Sequence, residues 1–256
     1  MADLMRTSNP ALRGAFGPGD VAYGAETMTI SGAVNKTGIL IILCVATAAW
    51  TWNRFFGALA SSPQDAMASV ALPAMVGGIG GFIVAMVTIF KKEWAGVTAP
   101  IYALLEGLVL GGVSALMEMR FHGIAIQAVA LTFGTLVAML IAYRTGLIKV
   151  TDKLRLGIVA ATGGIAVFYF LQFILGFFGV HFTTINGATP IGIGFSLLVV
   201  VIAALNLVLD FDLIENGARM GAPKYMEWYS AFALMITLIW LYFEILRLLS
   251  KVRSRN

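Results

Sequence analysis

Seven long apolar runs constrain the fold of this 256-residue chain more than any other feature. The hydrocarbon core of a bilayer is about 30 Å thick and needs roughly 20 helical residues to cross it. The runs are continuous and rich in Leu, Ala, Ile and Gly, whereas a β-barrel would need short alternating segments. They predict an all-α polytopic membrane protein, a bundle of seven transmembrane helices. The runs lie near residues 37–53, 68–90, 98–118, 123–143, 156–180, 190–214 and 228–250.

The composition agrees with a chain that is largely covered by lipid. The sequence is 59% hydrophobic and 12% charged, against about 25% charge in an ordinary soluble domain. The net charge of +4 does not indicate nucleic-acid binding, because the basic residues fall in loops and no soluble basic segment exists. We expect a polar N-terminal tail at residues 1–33 and one membrane domain at residues 34–256.

The distribution of Lys and Arg predicts the orientation. Basic residues concentrate in the N-terminal tail and in alternate loops such as 144–155, whereas the 181–189 loop contains no Lys or Arg. The positive-inside rule therefore places the N-terminus in the cytoplasm. The basic C-terminus leaves open a re-entrant last segment. Glycines at 77–81 and the Gly107/Gly111 pair predict close helix packing.

The stretch "LNLVLDFDLIENG" carries three carboxylates at the end of the sixth apolar run. The Asn216–Gly217 pair predicts that the helix ends near Glu215, which puts Asp210 about five residues inside the span. The C-terminal end of a helix is negative, so carboxylates are unfavourable there. This arrangement needs a proton, a metal cation, or Arg and Lys nearby.

Helical spacing divides these polar residues into two faces. Asn206 and Asp210 are four positions apart and are expected to face the bundle interior as part of an ion pathway. Asp212 and Glu215 form a second face nearer the water, as helix-end or gate acids that could pair with Arg219 or Lys224. Two further candidate acids, Glu106 and Glu244, lie inside other spans, and Glu227 at the beginning of the last span is a third possible helix-end or gate acid.

The segments "RTSNPAL", "VNKTG", "LDFDLIENG", "GAPKYMEWY" and "LIWLYFEILRLL" resemble the Bax inhibitor family, in particular its bacterial Bax inhibitor/YccA-like branch. The resemblance implies a bundle with the last helix central, in a bacterial inner membrane. It also implies a pH-sensitive passive leak of cations, notably Ca²⁺, whose sensor is a proton shared by two buried acids. By motif these acids are Asp210 and Glu244, the latter standing where better-known members have aspartate.

The identity of the partner of Asp210 stays open at this point. In straight antiparallel helices Asp210 and Glu244 would lie at different depths, so Glu106, whose expected depth matches, and Glu227 are alternatives. Two carboxylates in a low-dielectric site cannot both ionise cheaply, so one proton is expected to be retained. Asp210 and Glu244 could also supply oxygen ligands to a weakly bound Ca²⁺. No other cofactor is expected.

Other function classes find little support in the sequence. No HExxH or GxSxG motif occurs, and the two histidines, His122 and His181, fall in predicted loops, so catalysis is not expected. A proton-coupled ion transporter is one alternative, because buried acids also serve proton relays. A non-conducting regulatory protein that binds an unidentified partner is another.

Overall fold

A computed structural model describes residues 26–179 and 182–255 of the chain. Residues 1–25 of the predicted tail lie outside the described residues, as does His181. The described secondary structure is helical apart from turns, one 3-10 turn and an isolated β-bridge between Thr27 and Pro223. The helices are α1 (Ile30–Leu59), α2 (Pro63–Phe90), α3 (Ala95–Arg120), α4 (Ile124–Arg144), α5 (Asp152–Phe177), α6 (Thr183–Asn186), α7 (Pro190–Arg219) and α8 (Met226–Arg255).

Seven of the described helices, all except the short α6, are long and apolar enough to cross a membrane. This confirms the predicted all-α membrane fold with seven spans. Several helices extend beyond the apolar runs because polar residues continue the same helix. The 30-residue helix α1 is about 45 Å long, which matches a bilayer with its headgroups included.

Helix α8 is the most buried of the seven spans. In its most apolar stretch 61% of the residues are buried, against 11–39% in the other six, as expected of a central last helix. It also runs without interruption from Met226 to Arg255. A re-entrant last segment would have to reverse direction inside the membrane, so that alternative is wrong.

The end of α7 differs from the predicted one. The helix continues through Asn216 and Gly217 and ends at Arg219. The left-handed conformation that terminates it is adopted by Gly221, whose φ is 66°. The Ala222 N–H then donates to the Gly217 carbonyl, which satisfies a helix-end acceptor as in a Schellman motif. The Asn-Gly pair was the wrong stop signal because its own backbone groups stay within the helix.

The described helices divide into two packing units, and the first contains residues up to Ala125 together with Leu213–Ile236. In this unit the starts of α1 and α8 meet, because the Glu227 side chain accepts a hydrogen bond from the Thr29 N–H at 2.9 Å. Lys92, which precedes α3, lies 5.5 Å from the centre of the Tyr229 ring in α8. The starts of α1, α3 and α8 therefore share one end of the unit.

Glycines allow the helices of the first unit to approach closely. A Cβ atom at Gly107 or Gly111 of α3 would overlap backbone carbonyl oxygens of Cys44 or Ala48 in α1. The hydroxyl of Thr47 donates to the Leu104 carbonyl across the same contact at 2.9 Å. This confirms the close packing that the small-residue spacing predicts.

The second unit contains Ile126–Asp212 and the described residues from Thr237 to Arg255. Arg253 near the end of α8 donates to the side-chain oxygen of Gln127 at the start of α4 at 2.7 Å. This contact brings the start of α4 and the end of α8 together. The part of α8 in this unit carries the deep residue Glu244 and ends in a basic segment, in which Lys251 is buried and Arg255 is exposed.

The topology predicts opposite exposure of the two loops that flank α5. We expect Lys149→Cys and Thr184→Cys, each in a Cys44→Ala background, to react with an impermeant thiol reagent from opposite sides of the membrane. Cys44 itself is buried and should give no label in the parent chain. Labelling of both positions from the same side would show that α5 does not cross.

Two adjacent glycines in α2 provide a matched test of helix packing. A Cβ at Gly77 would lie 2.5 Å from the Leu105 carbonyl oxygen, whereas one at Gly78 would meet nothing within 4 Å. Gly77→Ala should therefore lower the thermal midpoint in detergent, at a cost of about 1–3 kcal/mol. Gly78→Ala should leave it unchanged or raise stability by up to about 1 kcal/mol. Equal effects would contradict the packing described.

Candidate functional site

Asp210 lies deep in α7 and belongs to the second unit. It stands nine residues before the helix end at Arg219, roughly 14 Å, rather than the five residues that the sequence predicts. Its side chain accepts a hydrogen bond from Thr237 of α8. Its second carboxyl oxygen, Oδ2, is buried and has no hydrogen-bond partner among the described residues.

A buried carboxyl group in this state has few acceptable forms. As an ion it would carry a charge without a compensating group, which costs several kcal/mol in a low-dielectric interior. As a neutral acid it needs only hydrogen-bond partners. The Asp210 carboxyl group can therefore hold a proton, or it can bind a cation that reaches it from outside the protein.

Asn206 is one helical turn from Asp210 and links two helices of the second unit. Its side-chain NH₂ donates to the Thr162 hydroxyl in α5 and to the Ile202 carbonyl, both at 2.8 Å. These bonds use both donor hydrogens of the amide. Asn206 therefore stabilises the α5–α7 contact, and its predicted role in an ion pathway stays a prediction.

Glu244 is buried in α8, with 2% of its surface exposed, but it has a counter-charge. Arg247, one turn later, donates to its two carboxyl oxygens at 3.1 and 3.2 Å. The Tyr169 hydroxyl of α5 lies at the same distances from these oxygens. The Arg247 guanidinium also lies 4.9 Å from the Tyr169 ring centre, a cation–π contact. Glu244 is thus part of a satisfied three-residue network.

Asp210 and Glu244 have separate partners in this structure. Asp210 is bonded to Thr237, and Glu244 lies seven residues further along α8, roughly 10 Å. The mismatch in depth that helix geometry predicts is therefore present. The sharing of a proton by these two acids, and the calcium site built on them, both stay predictions.

The two helix-end acids of α7 pair with different bases. Glu215 pairs with Arg219 at 2.5 Å, one of the two partners that the sequence suggests. Asp212 pairs instead with Arg155 of α5 at 2.5 Å. Its predicted pairing with Arg219 or Lys224 is wrong, because the Arg155 side chain of α5 reaches its carboxylate instead.

Glu106 is the deep carboxylate of the first unit. It lies eleven residues after the start of α3 at Ala95, and its side chain is hydrogen bonded to the Tyr102 hydroxyl one turn earlier. A Cβ at Gly81 of α2 would come within 2.8 Å of its Oε1 atom. Glu106 forms no ion pair with any described residue.

Glu227, at the start of α8, is fully buried and heavily bonded. Its Oε1 accepts from the N–H and the hydroxyl of Thr29, both at 2.9 Å. Lys36 pairs with its other oxygen, and Lys224 lies 3.4 Å from Oε1. Gly32 is required nearby because a Cβ there would overlap the carboxylate. Glu227 therefore anchors α1 to α8, with a lysine at each of its two oxygens.

Three carboxylates lie at least nine residues from either end of their helices, and they differ in whether a basic side chain balances their charge. Glu244 has Arg247, whereas Asp210 and Glu106 have hydroxyl partners and no ion pair among the described residues. Among those residues no group of three or more His, Cys, Asp or Glu side chains converges as for a metal ion. Asp210 has in addition the buried, unpartnered oxygen, and is the strongest candidate for a functional group.

The sequence indicated the acidic residues of the site but not the side chains that pair with them. Tyr169 and Arg155 lie 75 and 57 residues from the acids that they contact, and nothing in their local sequence indicates those contacts. The pairing of Lys36 with Glu227 could have been predicted, because Lys36 lies about two turns into α1, at the end of the bundle where α8 is expected to begin.

The fold and these residues define a class: a seven-span helical integral membrane protein that carries carboxyl groups without an ion-pair partner inside its spans. Residues 9–254 match the family model described as Bax inhibitor 1 like. The chain therefore belongs to this family, as the sequence motifs indicate. Comparison with curated proteins and comparison with solved structures found no match.

Because Asp210 and Glu244 have separate partners, substitutions of the two residues should affect stability independently. We expect the changes in unfolding free energy from Asp210→Asn and Glu244→Gln to add in the double variant, within about 0.5 kcal/mol. Thermal or denaturant unfolding of the purified protein in detergent measures this. A double variant much less destabilised than the sum would indicate that the two acids share a proton, as the family motif implies.

Proposed function

We propose that the protein is a passive, pH-sensitive cation leak whose conduction depends on the protonation of Asp210. The observation that carries this proposal is the buried Oδ2 atom of Asp210 without a partner, on a helix that can span the membrane. Ionisable groups inside spans are costly and usually mark an ion or proton pathway. Family membership supports the same reading.

Protons and cations compete for the same carboxyl group in this proposal. A protonated Asp210 is neutral and offers no charge to a cation. An ionised Asp210 attracts a cation and also changes the balance of forces on α7, because a bare charge is unfavourable there. Either effect makes conduction depend on pH.

The shared-proton form of the sensor is the more specific version of this proposal. It requires Glu244 to leave Arg247 and approach Asp210, which lies roughly two helical turns away. We therefore assign the proton to Asp210 first. Glu106, the other uncompensated deep acid, is the next candidate, and Glu227 the last because its oxygens are occupied.

Calcium is the ion that the family resemblance suggests as cargo. Ca²⁺ prefers carboxylate and carbonyl oxygens and takes six to eight of them. Asp210 could supply only part of such a shell, so water and backbone carbonyls would have to supply the rest. Weak, transient coordination of this kind suits a conducted ion better than a resident one.

Two other functions remain alternatives within this proposal. A proton-coupled transporter would also use an uncompensated carboxyl group, and a regulatory protein would bind a partner without moving ions. We infer no enzymatic activity, and we place the protein in a bacterial inner membrane with a cytoplasmic N-terminus. Ion flux into liposomes separates the classes: a leak needs no coupled ion, a transporter moves protons together with the cation, and a scaffold moves nothing.

Asp210→Asn should flatten the pH dependence of cation flux in liposomes, because the amide cannot titrate. The variant should still fold, since a neutral amide costs less to bury than an unpaired charge. Asp152→Asn is the matched control, because Asp152 is exposed in the first turn of α5. An Asp210→Asn protein with the pH profile of the parent would contradict the proposal.

A further inference from the structure

Lys251 is a buried lysine near the end of α8, with 6% of its surface exposed. Its ammonium group donates to the Ile185 carbonyl at 2.7 Å, the Gly192 carbonyl at 3.1 Å and the Ser196 hydroxyl at 2.8 Å. An ammonium group has three donor hydrogens. Each hydrogen thus has one oxygen acceptor, and all of these residues belong to the second unit.

The partners of this lysine are unusual because all three are neutral. Buried lysines are rare and are normally paired with a carboxylate. Lys251 forms no ion pair with a described residue, and its neighbour Arg247 is occupied with Glu244. A buried cation surrounded by neutral carbonyl and hydroxyl oxygens resembles the coordination that channels give to a dehydrated monovalent cation.

The chain before α7 packs closely against Gly192, one of the residues that supply these oxygens. A Cβ at Gly192 would meet the carbonyl oxygens of Ile185 at 2.8 Å and Thr184 at 3.0 Å, and that of Gly187 more closely still. Thr189 fixes this turn, because its hydroxyl donates to the Thr184 carbonyl at 2.6 Å and accepts from the Gly192 N–H at 3.0 Å. Because position 192 has no side chain, these carbonyl groups can lie close to its backbone.

We propose that the oxygens of Ile185, Gly192 and Ser196 form a monovalent-cation site, and that the Lys251 ammonium fills it as a tethered plug of the ion pathway. The plug role rests on the proposed leak function, whereas the site itself does not. Lysine suits this role because its charge sits on a flexible four-carbon chain. It can leave the oxygens by rotation of its side chain, without unwinding α8.

The site can be tested by removing the tethered cation and supplying a free one. Lys251→Ala removes the side chain beyond Cβ, and n-propylammonium has the size and charge of the missing part. We expect n-propylammonium to raise the thermal midpoint of detergent-purified Lys251→Ala in a saturable manner. Neutral n-propanol should not do so. Lys251→Met, whose side chain occupies the space without a charge, is the matched control and should not respond.

Flux measured in liposomes then tests the plug. Lys251→Ala should conduct cations about tenfold faster than the parent chain, a change that corresponds to about 1.4 kcal/mol in the barrier. Addition of n-propylammonium should return this flux toward the parent value, with no effect on the parent or on Lys251→Met. A merely structural role for Lys251 would give altered stability without this restored block.

The outcomes separate the two proposals. Failure of n-propylammonium to stabilise Lys251→Ala would overturn the cation site, whatever the flux. Stabilisation with raised flux that n-propylammonium does not reduce would overturn the plug. Stabilisation with no cation flux in any variant, including the parent chain at every pH, would overturn the proposed leak and the plug together while the cation site stood.

Discussion

A carboxyl group inside a membrane-spanning helix must be neutralised, and most of the structure around the deep residues of this chain follows from that requirement. Burial removes most of the contact with water, so a base, a proton or a cation has to balance the charge. Glu227 is compensated by Lys36 and Lys224, and Glu244 by Arg247. These pairs tie helix to helix or stabilise α8 itself. They leave Asp210 as the acid with a buried, unpartnered oxygen.

Acids that have a basic partner and acids that lack one are expected to matter in different ways, the first for stability and the second for function. The compensated acids can stay ionised without any exchange with the surroundings, and their substitution should act on folding. Asp210 has no such base, and in the proposed function it exchanges a proton or a cation with its surroundings. At the α6–α7 end of the second unit the relation is reversed: the Lys251 cation is surrounded by neutral oxygens. The second unit thus holds an acid without an ion pair and a lysine whose hydrogen-bond partners are all neutral.

The seven spans could be predicted from the sequence because a long apolar helix depends only on local composition. Lipid stabilises such a helix wherever it lies in the fold. The close packing at Gly107 and Gly111 could also be predicted, because two small residues four positions apart lie on one face of a helix. Sequence reasoning failed at the end of α7, where Gly221 rather than Asn216–Gly217 adopts the terminating conformation. It identified Asp210, Glu106 and Glu244 as deep acids but not their partners. Those contacts join helices that are far apart in sequence, and Lys251 showed no local sign of burial because it lies in a basic segment.

The central claim is that Asp210 carries a titrating proton inside its span, and infrared spectroscopy of the purified protein in lipid measures this directly. A protonated carboxyl group has a C=O stretching band distinct from that of a carboxylate. The account predicts a protonated-carboxyl band that disappears as the pH is raised and that Asp210→Asn removes, while Asp152→Asn leaves it intact. A pH-dependent spectrum in which the band is absent, or in which Asp210→Asn leaves it unchanged, would contradict the account.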